Sequence, residues 1–174
     1  HGKALMGSGR SFFSVSDEFF ESGRLNPDDF DIADIILGEE KATPWFGDST
    51  RMDFRIYTEA FMREIDELTE KGKNFFMSGA YIGSDLLATG DSAAIKFAAR
   101  TLHTKYRTGH AVKTGRVYST DYAMDHFKGK FTFNTGTDPS FYSVEAPDAI
   151  EPSDKKAVCA LRYEENNTSA GVLY

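Results

Sequence analysis

Residues 74–83 read NFFMSGAYIG, and this stretch decides the fold class that the sequence predicts. The run from Asn74 to Ser78 is short and apolar, which is typical of a buried β-strand. Gly79 and Gly83 then flank Tyr81 at the spacing of a nucleophile elbow, a strained strand-to-helix turn that presents its middle side chain. The pattern therefore predicts a strand followed at once by a tight turn, in which Tyr81 either faces a ligand or packs inside.

Two amphipathic helices are predicted around this strand. The first runs from Phe54 to Lys71, and the second runs from Ser92 to Tyr106 with Asp91 placed to cap its first turn. Both show apolar residues on one helical face and charged residues elsewhere, so each is expected to pack one stripe inward. The inward positions of the first helix are Tyr57, Phe61, Ile65 and Leu68.

Two more strands and a short helix are predicted nearer the start of the chain. Lys3 to Met6 and Phe30 to Leu37 are short apolar runs, and residues 16–23 offer a Ser or Asp cap and a glycine stop. Alternation of strands with helices is the order of an α/β layer joined by right-handed crossovers. Residues 1–106 are therefore expected to form a three-layer, doubly wound, mainly parallel sheet.

A change of pattern after residue 106 predicts a β-rich extension over residues 107–174. Alternating or apolar runs lie there between Gly, Pro and Asp turns, which is typical of antiparallel strands. Thr135 to Lys156 contains three prolines and predicts an irregular loop. We expect one domain over residues 1–174, a piece of a larger chain, with strands at 110–119, 130–134, 157–163 and 170–174.

Composition narrows the classes of partner. Lys and Arg number 20 against 27 Asp and Glu, a formal net charge of −7, which argues against nucleic acid and against an anionic membrane surface. Cys159 is the single cysteine, so an internal disulfide framework is excluded. No apolar run approaches the roughly 20 residues that a membrane-spanning helix needs.

A ligand site is expected beyond the carboxyl ends of the strands, where the loops of open α/β sheets diverge. Among the loops 7–17, 38–53 and 79–91, the middle one is long and carries the single tryptophan, Trp45, near Asp48 and Arg51. The face of Trp45 would stack on a sugar ring, and Asp48 and Arg51 would orient the sugar hydroxyls or a uronate carboxylate. The alternative is structural, with Trp45 plugging the end of the sheet and Arg51 paired with Asp48 or Asp53.

A catalytic interpretation is also open. Tyr81 or Ser84 would react, Asp48 or His110 would carry protons, and Arg51 would stabilise developing negative charge. A phenol with an ordinary pKa of about 10 is a weaker nucleophile at neutral pH than an activated Ser or Cys. This interpretation requires the side chains to converge within hydrogen-bond reach.

Metal binding has little support in the sequence. His103, His110 and His126 lack the spacing of a zinc motif. Four acidic loop residues could converge on calcium, although separate helix-cap roles are the simpler explanation for the first and last of them. These residues are Asp17, Asp48, Asp85 and Asp91. We predict neither a metal site nor a cofactor.

Several segments resemble the α/β domain of large exported proteins of gut anaerobes that are described as xanthan lyases. The most specific are residues 43–54, TPWFGDSTRMDF, and residues 78–86, SGAYIGSDL, with shorter matches at 2–4 and 11–18. The resemblance covers nearly the whole chain. It implies a flavodoxin-like layer similar to that of class I glutamine amidotransferases, with Tyr81 in place of the nucleophile, and export to the periplasm or cell surface.

These observations together predict a carbohydrate-associated domain of an exported polysaccharide-processing protein, with a binding or structural role. The alternative is a hydrolase or lyase with its active site around Tyr81, Asp48 and Arg51. The expected partners are a polysaccharide or oligosaccharide and neighbouring domains of the same polypeptide. The residues expected to line the ligand crevice are Trp45, Asp48, Arg51, Tyr81, Ser84 and Asp85.

Overall fold

The computed structural model describes residues 1–88, 90–123, 128–134, 136 and 143–174. For residues 45, 49–53, 87 and 88 only the backbone is described. Within these ranges the chain forms five α-helices, one 3₁₀ helix and ten β-strands, which pair into four small sheets.

The predicted three-layer, doubly wound, flavodoxin-like parallel sheet is wrong. Among the described strands one pair is parallel, β1 (Ile32–Gly38) with β4 (Asn74–Gly79), and the other described pairings are antiparallel. A parallel sheet would need the next strand to join this pair. Instead β5 (Thr104–Thr108) pairs antiparallel with β8 (Ala149–Pro152), so the architecture is a mixed α/β fold with mostly antiparallel sheets.

The segment predicted as the first strand, Lys3 to Met6, lies in a helix. α1 spans Gly2–Gly7 and buries no residue. Ala, Leu, Met and Lys all have high helix propensity and none is β-branched, so a short run of them does not favour a strand. Because α1 replaces the expected strand, it adds no third member to the parallel pair.

The helices around the parallel pair are shorter than predicted. After α2 (Asp17–Glu21) and a 3₁₀ helix (Pro27–Asp29), α3 spans Glu59–Glu70, and the Thr58 hydroxyl caps it by accepting the Phe61 N–H at 3.0 Å. The short α4 (Ser84–Ala88) precedes α5 (Ser92–Arg100), which ends where the chain turns into β5. The predicted inward positions Tyr57, just before α3, and Phe61 and Ile65 within it are buried in the main core together with Leu86 and Phe97, and Leu68 is also buried.

The antiparallel part follows the strands predicted after residue 106, with shorter bounds. Its four-stranded sheet has the order β10–β9–β6–β7 and packs over a second, smaller core around Val112, Val117, Ala149 and Tyr163. The strands are β6 (Arg116–Ser119), β7 (Lys130–Thr132), β9 (Val158–Tyr163) and β10 (Ser169–Leu173). β8 lies within the stretch predicted as an irregular loop.

The loop predicted at residues 38–53 contains a β-hairpin. β2 (Thr43–Trp45) pairs antiparallel with β3 (Asp48–Phe54), and Gly47 takes a positive φ of 87° at the tip. Glycine adopts this left-handed conformation without the steric penalty that a Cβ brings. The hairpin therefore stands next to the carboxyl end of β1, on the side where the sequence places its ligand site. No helix in the described part of the chain has the length and apolar character to cross a membrane.

Candidate functional site

The turn after β4 is as tight as its glycines predict. The Ala80 N–H donates to the Gly38 carbonyl at 2.7 Å, which ties the turn to the end of β1. A Cβ on Gly79 would lie 2.8 Å from the Leu37 Cβ, and a Cβ on Gly83 would lie 2.8 Å from the Tyr106 Cδ2. These separations are shorter than packed carbon atoms allow, so only glycine, which has no Cβ, fits at either position.

Tyr81 is half-exposed at this turn and stands among charged side chains. The Lys41 ammonium lies 5.0 Å from the centroid of the Tyr81 ring, within cation–π range. Burial raises the pKa of the Tyr81 phenol, and the negative charges of Glu39, Glu145 and Asp148 raise it further. The phenol is therefore a neutral hydrogen-bonding group at physiological pH.

Glu39, which directly follows β1, lies next to Glu145, which precedes β8. The Glu145 N–H donates to the Glu39 carboxylate at 3.4 Å, across 106 residues of sequence. Both residues and Lys41 are exposed, whereas Tyr81 is partly buried. The result is an aromatic ring bordered by hydrogen-bond acceptors and one ammonium donor.

Asp148 holds the turn from its buried side. Its Oδ2 accepts the N–H of Gly83 at 3.0 Å and the N–H of Ser84 at 2.5 Å, and its own N–H donates to the Ala80 carbonyl at 2.8 Å. The Tyr163 hydroxyl donates to the Asp148 carbonyl at 2.7 Å. One residue thus connects the turn that carries Tyr81 to β9 of the antiparallel sheet.

Burial raises the pKa of the Asp148 carboxyl, and hydrogen bonds from Ser84 and Gly83 and the charge of His110 act in the opposite direction. Ser84 and His110, both predicted as catalytic candidates, are therefore brought towards the same carboxylate. Asp148 itself is only 6% exposed. The arrangement supports a structural role for Asp148, since a carboxylate so enclosed does not contact a ligand directly.

Asp85, predicted to line the crevice, is buried. Its carboxylate accepts the N–H of Ala42 through Oδ1 and the N–H of Ile56 through Oδ2, the latter at 3.2 Å. These two residues flank the hairpin on either side. Asp85 therefore fixes the base of the hairpin, which makes it a support for the site and keeps it away from solvent.

The hairpin residues predicted for sugar binding are only partly described. The structure gives the backbone of Trp45 in β2 and of Arg51 in β3, while their side chains lie outside what it describes. Asp48 is exposed and stands opposite Trp45 in the hairpin register. The register places Trp45 and Asp48 together at the hairpin tip, and their role in binding stays a prediction.

The remaining acidic and histidine candidates have local partners. Asp91 caps α5 as predicted, with its carboxylate accepting the Ala93 N–H at 2.8 Å. The cap role expected of Asp17 belongs to Ser16, whose hydroxyl accepts the Phe19 N–H at 3.3 Å, and Asp17 lies in the first turn of α2. The His103 Nδ1 lies 2.7 Å from the Asp154 Oδ2. His126 lies outside the described residues. No group of three His, Cys, Asp or Glu side chains in the described ranges is arranged to hold a metal ion.

Four residues of the site escaped the sequence analysis: Glu39, Lys41, Glu145 and Asp148. The first two lie just after β1, in the 38–53 loop that the sequence already marks as a ligand-site candidate, and this position was a usable signal. The last two come from the stretch predicted as a loop, and no local pattern links them to Tyr81.

Comparison with family models, with curated proteins and with solved structures finds no match for this chain.

Proposed function

We propose that this chain is a glycan-binding domain of an exported polysaccharide-processing protein, with its binding site centred on Tyr81. The observation that carries the proposal is the convergence of Tyr81, Lys41, Glu39 and Glu145 at the carboxyl ends of β1 and β4. Export and the polysaccharide context come from the sequence resemblance and belong to the proposal.

The chemistry of these groups suits a sugar. An aromatic ring offers an apolar face to the C–H groups of a pyranose, and its hydroxyl is both donor and acceptor. Carboxylates accept hydrogen bonds from sugar hydroxyls, and the Lys41 ammonium donates them. Lys41 is exposed on a flexible stem, so a sugar can displace it from the ring face without disturbing the backbone.

The charge around Tyr81 favours a neutral glycan over an acidic one. Glu39 and Glu145 are close enough to raise the phenol pKa, and Asp148 adds to the same field. A uronate carboxylate would meet this negative potential with Lys41 as its counter-charge among these residues. We therefore expect neutral oligosaccharides to bind more tightly than uronate-containing ones of the same length.

Binding is better supported than catalysis. A nucleophile or general base at the turn would need a lowered pKa, and the surroundings of Tyr81 shift its pKa in the opposite direction. The backbone N–H of Ser84 is committed to Asp148, and hydrogen bonding between these two residues also involves the Ser84 side chain. A hydrolase or lyase centred on Tyr81 is therefore the weaker alternative.

The hairpin begins two residues after Lys41, which contacts the Tyr81 ring. Its base is fixed by Asp85 at Ala42, one residue from Lys41, so the position of the hairpin and the position of Lys41 are coupled. Phe46 at the tip is fully exposed. A glycan longer than one sugar unit would extend from Tyr81 towards this tip, where the predicted Trp45 contact is located.

Thermal stabilisation by oligosaccharides tests the proposal, because a ligand that binds only the folded state raises its stability with concentration. The panel contains neutral and uronate-containing oligosaccharides, and the variants are Tyr81→Ala and, as control, Tyr122→Ala. Tyr122 is 68% exposed, so its loss leaves the packing unchanged. We expect a shift that Tyr81→Ala abolishes and Tyr122→Ala retains; no shift with any glycan would favour a structural module that packs against neighbouring domains.

A further inference from the structure

The two carboxylate oxygens of Asp148 have unequal surroundings. Oδ2 accepts two backbone N–H groups from the turn, those of Gly83 and Ser84. Oδ1 is buried and accepts no hydrogen bond from the described residues. An ionised carboxylate with one enclosed and unsatisfied oxygen is unfavourable compared with the same carboxylate in water.

A second carboxylate in the chain makes the same contact without the burial. The Oε2 of Glu165 accepts the N–H groups of Lys113 and Thr114, each at 3.1 Å, at an exposed turn. Asp148 and Glu165 therefore each bind two consecutive amides with one oxygen. They differ in exposure, and this pair provides an internal comparison.

We propose that Asp148 is a pH-sensitive clasp of the turn that carries Tyr81: proton uptake on its buried carboxyl tightens the turn, and ionisation loosens it. The proposal concerns the turn itself and holds whatever Tyr81 binds. Its geometric basis is the buried, unsatisfied Oδ1 together with the three backbone contacts that Asp148 makes to residues 80, 83 and 84.

The direction of the pH effect follows from the linkage between proton binding by Asp148 and opening of the turn. Any opening of the turn that exposes Asp148 to water restores its carboxyl towards an ordinary pKa. The closed turn binds the proton more tightly, because burial raises the pKa of Asp148 there. Opening therefore costs more free energy as the pH falls through the raised pKa, and costs less as the pH rises through it. At Glu165 hydrogen bonding from Lys113 lowers the pKa, so its contact does not strengthen on acidification.

The titratable groups that face Asp148 come from four parts of the chain. The charge of His110 favours the ionised form, while Tyr57, Tyr81 and Tyr163 are neutral phenols whose pKa values are raised by burial and also by the Asp148 charge. The missing side chain of Gly109 leaves open space beside Oδ1, since a Cβ there would lie 3.4 Å from this oxygen and 3.2 Å from the Tyr106 hydroxyl.

Amide hydrogen exchange of the 174-residue chain, followed by NMR, tests the proposal. Protection factors, corrected for the intrinsic exchange rate, are compared at about pH 7.5 and about pH 4.5. We expect the protection of the Gly83 and Ser84 amides to rise about threefold or more on acidification. The protection of the Lys113 and Thr114 amides should not rise over the same range.

Two variants test whether the pH dependence of protection comes from Asp148 or from His110. Asp148→Asn keeps an oxygen acceptor but no ionisable group, so the Gly83 and Ser84 protection should no longer depend on pH. His110→Asn removes the neighbouring imidazole and its charge, and Asn tolerates the positive φ of 50° at that position. This variant should retain the pH dependence.

Some results would overturn the proposal. Protection at Gly83 and Ser84 that is flat or falls on acidification of the wild-type chain would contradict it, and so would a rise that disappears with His110→Asn. If Asp148→Asn fails to fold, the wild-type comparison between the Asp148 and Glu165 amides decides alone.

Discussion

The Asp85 Oδ2 accepts the backbone N–H of Ile56 at 3.2 Å, and the Oδ1 of the same carboxylate accepts the N–H of Ala42. The hairpin of β2 and β3 lies between these two amides, so one buried side chain closes its base. Asp85 belongs to the first turn of α4, which directly follows the Tyr81 turn. The proposed binding site and the hairpin therefore share a single support.

Removal of that support should destabilise the chain. Asp85→Ala removes the acceptor of the Ala42 and Ile56 amides; the Ile56 amide is buried, and an unsatisfied buried group costs about 1–3 kcal/mol. We expect a loss of about 1–3 kcal/mol in the free energy of unfolding, measured by urea denaturation. Asp85→Asn, which retains an acceptor, should lose less. Equal losses in the two variants would contradict the role of Asp85 as an acceptor.

A methyl group at Gly83 should also destabilise the chain. Its Cβ would lie 2.8 Å from the Tyr106 Cδ2 and 3.1 Å from the Ile150 Cγ2, so Gly83→Ala overpacks the contact between the turn and the β5–β8 pair. Overpacking of this kind costs about 1–3 kcal/mol. Gly7→Ala is the matched control, because a Cβ on Gly7 meets nothing within 4 Å. Urea denaturation of the two variants should separate them, and similar stabilities would show that the turn relaxes freely.

The pH dependence of the free energy of unfolding should reflect the ionisation of the buried carboxyls of Asp85 and Asp148. Burial raises the pKa of Asp85 and of Asp148 above the unfolded value, so each destabilises the fold when ionised, and this cost is relieved as the pH falls through the folded pKa. Asp148→Asn is uncharged at every pH. Its free energy of unfolding relative to wild type should therefore become more favourable as the pH rises from the ordinary Asp pKa of about 4 through the raised pKa of the folded state. A change in the opposite direction would mean that ionised Asp148 stabilises the fold.

Local patterns in the sequence predicted individual elements well. The stripe of Tyr57, Phe61, Ile65 and Leu68 indicated α3, and β1 and β4 were recognisable as short apolar runs. Periodicity failed at Lys3 to Met6, since a run of one lysine and three apolar residues is too short to distinguish a helix from a strand. Helix propensity decided the outcome there.

Strand pairing was not encoded locally. The parallel sheet was predicted from the alternation of helices with strands, but β5 takes an antiparallel partner, β8, whose sequence contains Pro152 and was predicted as loop. The choice of partner depends on contacts between distant segments, which the order of elements alone does not specify.

The candidate site likewise combines a residue that a local pattern reveals with one that only distant contacts reveal. Tyr81 was identified because two glycines mark the turn around it, a signal contained within five residues. Asp148 binds that turn from 64 and 65 residues further along the chain, at Ser84 and Gly83. A single sequence contains no pattern that joins these positions, so the supporting carboxylate was found only from the structure.

Isothermal titration of the chain with a neutral oligosaccharide, repeated with Tyr81→Ala and with Tyr122→Ala, measures glycan binding at the proposed site. We expect the wild-type chain and Tyr122→Ala to bind, and Tyr81→Ala to lose binding. A uronate-containing oligosaccharide of equal length should bind more weakly. Binding that survives Tyr81→Ala undiminished would contradict the placement of the site at the end of β4.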